Sequence, residues 1–244
     1  ARERVFMPVL SPRGAFAAGA FARAGVDCML IDTEHSPVGM ETLFEALTAC
    51  RMAGLPSIVR VPYAEYPYIS KTLDAGADGI MVPRVETLEQ VKTAVSSSKF
   101  PPVGIKGCGG PGIFYPGETT AQFNNNRVLF LQIESPDGIN TLPEMLSLYG
   151  AHIDGVVIGP TDLSISLGIP MEFDNPLLHG EIRKLIRICR EHEKSCGMWL
   201  CDLAAAGFWA REGMNILWTS GDGEFAAAGA AELVRRVGSL NSDG

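Results

Sequence analysis

"SIVRVPYAEYPYISKTLDAGADGIMV", residues 57–82, decides the fold. It begins with an apolar run, 57–61, and passes into a helix-like stretch, 65–75. It then meets Gly76 and enters a second apolar run at 79–82. A glycine just past a helix-like stretch and a few residues before the next strand is the left-handed stop that ends helices. The two runs are rich in Val and Ile without a clean polar alternation, as in parallel strands buried on both faces. The stretch therefore reads as one strand–helix–strand unit.

The same unit repeats along the chain. Strand-like runs occur at 5–10, 28–31, 57–61, 79–82, 129–133, 155–158, 195–200 and 216–219. Helix-like stretches fill 13–24, 39–53, 65–75, 88–96, 139–148, 177–193, 204–212 and 225–240, and Gly25, Gly54 and Gly213 follow three of them as Gly76 does. Eight repeats in 244 residues predict one α/β domain over 1–244, a TIM (β/α)8 barrel, with a doubly wound open sheet as the alternative. One segment breaks the rhythm. Residues 97–127, with "PPVGIKGCGGPG" and "NNN", predict a long connection bent over one end of the barrel, with Asn124–Asn126 as a turn. "GCGGPG" lacks the spacing of a phosphate-binding fingerprint.

Composition narrows the function. The chain is 46% hydrophobic without a run long enough to span a bilayer, so a soluble globular protein is expected. A net charge of -8 argues against nucleic acid and anionic membranes as partners, but not against a small anionic substrate met by a local positive group. The six cysteines (Cys28, Cys50, Cys108, Cys189, Cys196 and Cys201) include no C-x-x-C pair. With no signal peptide visible, reduced thiols and a cytoplasmic location are expected, although a chain that begins at Ala1 leaves room for a trimmed leader.

In a (β/α)8 barrel the chemistry sits where the strands end. The second strand offers Asp32, Glu34 and His35, the third Arg60, and the fourth Pro83 and Arg84. The fifth offers Gln132 and Glu134, two apart and so on one side of the strand; the sixth offers Asp162, the seventh Trp199 and Asp202, the eighth Asp222. Glu134 and Asp162 leave consecutive strands. Two facing carboxylates repel unless a divalent cation joins them, and Mg2+ suits one or two carboxylates plus water and substrate oxygens, with Mn2+ or Co2+ close behind. Arg60, inside an apolar run, needs an anion or a polarised oxygen. His35 supplies an imidazole, the side-chain type suited to moving protons near neutral pH, with Asp32 or Asp74 as its orienting acid. Taken singly, each has a bland reading: a helix cap, a loop histidine, a structural ion pair. Their convergence on one end of the barrel favours chemistry. His152, His179 and His192 read as surface or packing residues, and Arg183, Lys184, Arg187 and Arg190 as a solvated helix face.

"LIDTEHSP", "IVRVP", "LDAGADGIMVPRVET", "PPVGIKG", "LQIES" and "GPTDLSISLG", in that order, resemble the HpcH/HpaI aldolase family over most of the chain. The resemblance implies a class II, metal-dependent pyruvate aldolase that cleaves or forms 4-hydroxy-2-oxo acids from pyruvate and an aldehyde. It implies Glu134 and Asp162 as metal ligands and Arg60 on the keto oxygen. His35 becomes the base, with Asp32 and Asp74 as acidic partners. Gln132 lies beside the metal, and Gly159, Pro160 and Thr161 hold the substrate carboxylate. Trp199 and Leu200 fall in the acceptor pocket. It also implies a homo-oligomer, a hexamer built as a trimer of dimers, with the last helix exchanged between neighbours, so that Asp74 serves an adjacent site. Lys106 in "GIKG", the "CGGPGIFYPGE" that follows it, Trp199 and Cys201 depart from the family pattern, which leaves the second substrate open. Three alternatives stand: a decarboxylase making the same enolate from oxaloacetate, a Schiff-base aldolase using Lys106, and a non-catalytic oxo-acid-binding barrel.

Overall fold

The computed structural model describes residues 4–200 and 203–240. Eight parallel strands close into a barrel in sequence order: β1 (Val5–Val9), β2 (Met29–Asp32), β3 (Ser57–Arg60), β4 (Gly79–Val82), β5 (Val128–Ile133), β6 (Gly155–Ile158), β7 (Ser195–Leu200) and β8 (Ile216–Gly221). The (β/α)8 expectation holds; an open sheet would leave β1 and β8 unpaired, and they pair along their whole length. The helices are α1 (Ala18–Ala24), α2 (Met40–Ala53), α3 (Tyr66–Asp74), α4 (Leu88–Ser98), α5 (Thr120–Asn126), α6 (Pro136–Tyr149), α7 (Pro160–Ser166), α8 (Pro176–Glu191), α9 (Leu203–Glu212) and α10 (Asp222–Leu240).

Alternation along the strands sorts the side chains into two cores. Met7, Leu30, Ile58, Met81, Phe130, Val157, Ile216 and Trp218 fill the barrel. The intervening residues, among them Ile31, Val59, Ile80, Leu131 and Ile158, face outward under the helices. One more step up each strand, the inward positions turn polar: Asp32 lies in register with Arg60 on β2 and β3, and Gln132 with Val157 on β5 and β6. That polar ring is the floor of the site.

The connection after α4 differs from a structureless link. It contains α5, begun by a reciprocal Thr119–Gln122 capping box, so Asn124–Asn126 form the end of a helix and not a turn. Asn124 bonds Phe100 in both directions, at 2.7 and 2.9 Å. Lys99 is buried and donates to the carbonyls of Asn124 and Arg127, each at 2.6 Å. Tyr115 donates to Asp78, next to the start of β4, and Arg51 at the end of α2 donates to the Gly112 carbonyl at 3.4 Å. The segment thus closes the N-terminal end of the barrel, away from the strand exits.

Candidate active site

Asp32 and Arg60 form the first half of the site. As register partners they meet side by side, and Arg60 grips Asp32 with two hydrogen bonds, Nε to Oδ1 at 2.8 Å and Nη2 to Oδ2 at 2.7 Å. Burial alone would raise the Asp32 carboxyl. The Arg60 hydrogen bonds and charge, together with the backbone N–H groups of Glu34 and His35, outweigh it and hold Asp32 below the usual carboxylate range. Asp32 is therefore occupied by Arg60 and by the backbone of its own loop. This corrects the expectation that it orients the His35 ring, because a guanidinium in register outcompetes an imidazole on an exposed loop. The side chain beside His35 is Glu34, whose Oε2 lies 3.6 Å from His35 Nε2. The same oxygen is 3.3 Å from Arg60 Nη1 yet has no hydrogen-bond partner among the described residues. Burial raises the Glu34 carboxyl, with the charges of Arg60 and His35 opposing.

The second half comes from β5 and β6. Gln132 is buried, receives Arg60 Nη1 on its Oε1 at 3.4 Å, and donates from Nε2 to Glu134 Oε1 at 2.5 Å. Glu134 lies between the last residue of β5 and Ser135, whose side chain caps α6. Its position is fixed on both sides. Gly159 makes room for it: a Cβ there would lie 1.9 Å from Glu134 Oε1. Asp162 belongs to the first turn of α7, which starts directly after β6 with Pro160. Arg84, at the β4 exit and in the left-handed backbone region (φ 52), places Nη1 3.9 Å from Asp162 Oδ1. Burial, then the negative charges of Asp162 and Glu34, push the Glu134 carboxyl up to about 7, against the opposing charges of Arg60 and Arg84.

His35, Arg60, Gln132, Glu134, Gly159–Asp162, Trp199 and Trp218 line one cavity of about 330 Å³ at the C-terminal mouth. A divalent cation fits this donor set. Glu134 is a carboxylate raised by its burial and then by the charge of Asp162, and Glu34 Oε2, beside Arg60 and His35, is a buried acceptor with no hydrogen-bond partner among the described residues. No group of three or more His, Cys, Asp and Glu side chains is placed to hold a metal among the described residues. Two carboxylates with the remaining positions open is the habit of Mg2+ rather than of structural zinc.

Other expected residues lie elsewhere. Leu200 faces outward from β7 and lines a neighbouring cavity. Asp74 ends α3 at the N-terminal side of its own barrel, where it receives Lys106 Nζ at 2.5 Å. It does not meet His35 within the chain, since a helix after β3 carries its last residue to the opposite end. Asp222 accepts from the Ser11 backbone at 2.8 Å and ties down the loop after β1. Asp202 and Cys201 lie outside the described residues. Burial pushes the Cys28 and Cys50 thiols up to about 12 and 11, which makes them packing residues. Trp218, absent from the sequence-based candidates, is signalled only by its alternation with inward-facing Ile216.

A (β/α)8 barrel that gathers two carboxylates, an arginine and a histidine at its C-terminal mouth is laid out as a metal-dependent enzyme for a small anion. The chain belongs to the HpcH/HpaI aldolase/citrate lyase family, whose description matches residues 5–226, and so to a group of carbon–carbon lyases. It is 35% identical over 193 residues to the 2-keto-3-deoxy-L-rhamnonate aldolase of Escherichia coli K12, covering 77% of this chain and 72% of that one. Among solved structures it is similar to an HpcH/HpaI aldolase from Desulfitobacterium hafniense DCB-2 (TM-score 0.87, 26% identity, 96% of this chain and 93% of the other). It is similar too to an aldolase/citrate lyase family protein from Burkholderia cenocepacia J2315 (TM-score 0.87, 27% identity, 96% and 95%).

Proposed function

We propose that the chain is a divalent-metal-dependent aldolase that forms and cleaves 4-hydroxy-2-oxo acids, with pyruvate as the three-carbon partner and an aldehyde as the second. The observation that carries this reading is the Glu134–Asp162 pair facing Arg60 in one cavity, with the Glu134 carboxyl raised to about 7. Glu134 and Asp162 are the ligands, Mg2+ is the preferred ion, and Mn2+ or Co2+ are the substitutes. When bound, the ion supplies a Lewis acid for the keto group of a 2-oxo acid.

The chain's own residues do the rest. Arg60, held by Asp32 and Gln132, directs its guanidinium to the keto oxygen and stabilises the negative charge that develops there. The first turn of α7, entered through Gly159 and Pro160, offers the backbone N–H groups of Thr161 and Asp162, which have no intrahelical acceptors, to the substrate carboxylate; Pro160 has no N–H and that of Gly159 donates to the Ile133 carbonyl. His35, beside Glu34, moves the proton. In synthesis a proton leaves the pyruvate methyl, the methyl carbon bonds to the aldehyde carbon, and the aldehyde oxygen takes a proton. Cleavage runs these steps backwards, and no electrons are gained or lost overall. Asp74 acts toward a neighbouring copy, positioned by Lys106.

The test offers 4-hydroxy-2-oxo acids and oxaloacetate side by side, with chelator and with added Mg2+. Pyruvate release from the hydroxy-oxo acid that stops in chelator and returns with Mg2+ supports the aldolase. Turnover of oxaloacetate alone makes the chain a decarboxylase, and tight binding without turnover makes it a binding barrel. Turnover undiminished by chelator contradicts the metal site.

A further inference from the structure

The three tryptophans of the chain, Trp199, Trp209 and Trp218, all border the mouth or the cavity beside it. Trp199 and Trp218 are register partners on β7 and β8, so their indoles stand side by side on one wall of the site cavity. Trp199 and Pro160 also line a second cavity of about 570 Å³ under α8 and α9. Its surface is Phe173, Leu178, Ile182, Met198, Phe208 and Trp209. Among the described residues, the polar side chains on that surface are Asp174 and His179. His179 has Nε2 2.9 Å from the Phe173 carbonyl and packs edge-on against Trp209 at 5.1 Å.

Trp218 carries a second signal. It is 5% exposed, Arg60 lies 5.2 Å over its ring, and its Nε1 has no hydrogen-bond partner among the described residues. An indole N–H donates only, so a buried one lining a cavity calls for an acceptor oxygen on the ligand.

We infer that the aldehyde taken by this site carries an aryl or arylalkyl substituent, which lies against Trp199 and extends into the apolar cavity, while Trp218 Nε1–H donates to the aldehyde oxygen. The inference rests on the aldolase reading and names its second substrate. A polyhydroxylated aldehyde would bring hydroxyls against described residues of which only Asp174 and His179 have polar side chains to receive them, and unmet hydroxyls are penalised on burial. A planar ring is stabilised there by area burial and by offset or edge contacts with the indoles.

The test measures kcat/KM for Mg2+-supported addition of pyruvate to phenylacetaldehyde and benzaldehyde, against glycolaldehyde and L-lactaldehyde. The wild type favours the aryl aldehydes by about tenfold or more, within the range an apolar pocket achieves. Trp199→Leu and Trp209→Leu lower that ratio by about tenfold, mainly through KM, while Trp218→Phe keeps a ring and lowers kcat for every aldehyde. Because a core variant can fail to fold, a second arm titrates the wild type with benzyl alcohol and follows tryptophan fluorescence, which should change and saturate. A preference for hydroxyaldehydes, equal use of both kinds, or unresponsive fluorescence overturns the inference. So does a Trp199→Leu variant that changes assembly state but not aldehyde preference, since the cavity then belongs to a second copy. Loss of pyruvate methyl exchange in the wild type, with a saturating fluorescence change, overturns the aldolase reading and leaves the aryl site standing.

Discussion

Asp32 gives both oxygens to one guanidinium, and that choice orders the rest of the mouth. With Arg60 held between Asp32 and Gln132, its charge is fixed where an oxyanion would form. Arg60→Ala removes that charge and strands Asp32, so kcat should fall by roughly a hundredfold or more in a steady-state assay. Arg60→Lys should recover little, since an ammonium lacks the planar fork. Glu134 gives a prediction with a definite sign. Its folded value of about 7 exceeds the ordinary carboxyl value of 4.5. Below the unfolded value the group is protonated in both states and the penalty is absent. Between the two values the folded chain binds a proton that the unfolded chain does not, so stability falls as pH rises, and above the folded value the loss is complete. In cation-free buffer at pH 8, Glu134→Gln should therefore melt higher than the wild type, by on the order of 2 kcal/mol, with the gap closing toward pH 4. A variant that melts lower at pH 8 would show that Glu134 is not so burdened. At this scale the sequence was informative about residue types and faces: Gln132 and Glu134 two apart, Asp162 one strand on. Which acid meets which base was not legible, because Asp32 and Glu34 are both within reach of His35 and only the β2–β3 register decides between them.

Elements were legible where glycine or periodicity marked them. The strand runs fall within one residue of the observed ones at every end but that of β8, which runs two residues further, to Gly221, because parallel strands buried on both faces are unbroken apolar stretches. α7 was not separable from the strand before it: Pro160 begins the helix one residue past β6, leaving only Gly159 between them to signal it. α5 was hidden by a polar composition that reads as a loop, and its capping box alone announces it. The segment that holds α5 also bears on the Lys106 alternative. Lys106 lies at the N-terminal side of its own barrel, away from that barrel's strand exits, and its buried ammonium is taken up by Asp74 at 2.5 Å, so where Asp74 meets a neighbouring copy Lys106 is its ion-pair partner and not a free amine. Borohydride added with pyruvate should therefore leave activity intact, and mass spectrometry should find no reduced adduct; an adduct on Lys106 would restore the Schiff-base alternative.

At the scale of the whole molecule, α10 stands apart. Phe225 in its first turn packs on Phe6 and Phe21, but Leu233, Val234 and Val237 further along are 61%, 73% and 58% exposed. A helix with that much uncovered apolar surface fits exchange with a second copy, as the family resemblance implies. Leu233→Glu with Val237→Glu should shift the mass measured by light scattering toward the monomer; an unchanged mass would place the interface elsewhere. No helix of the described residues is long and apolar enough to cross a membrane. The barrel itself was legible because eight units repeat, whereas assembly depends on surfaces whose partner the sequence does not name.

If Glu134 and Asp162 together hold a divalent cation, a bound pyruvate becomes acidic at its methyl. Deuterium exchange at that methyl, followed by proton NMR in heavy water, tests it without knowledge of the aldehyde. The wild type should exchange with Mg2+, stop after chelation and resume on reloading, and Glu134→Gln should not exchange at any Mg2+ concentration. Exchange that persists in chelator, or in the Glu134→Gln variant, would contradict the account.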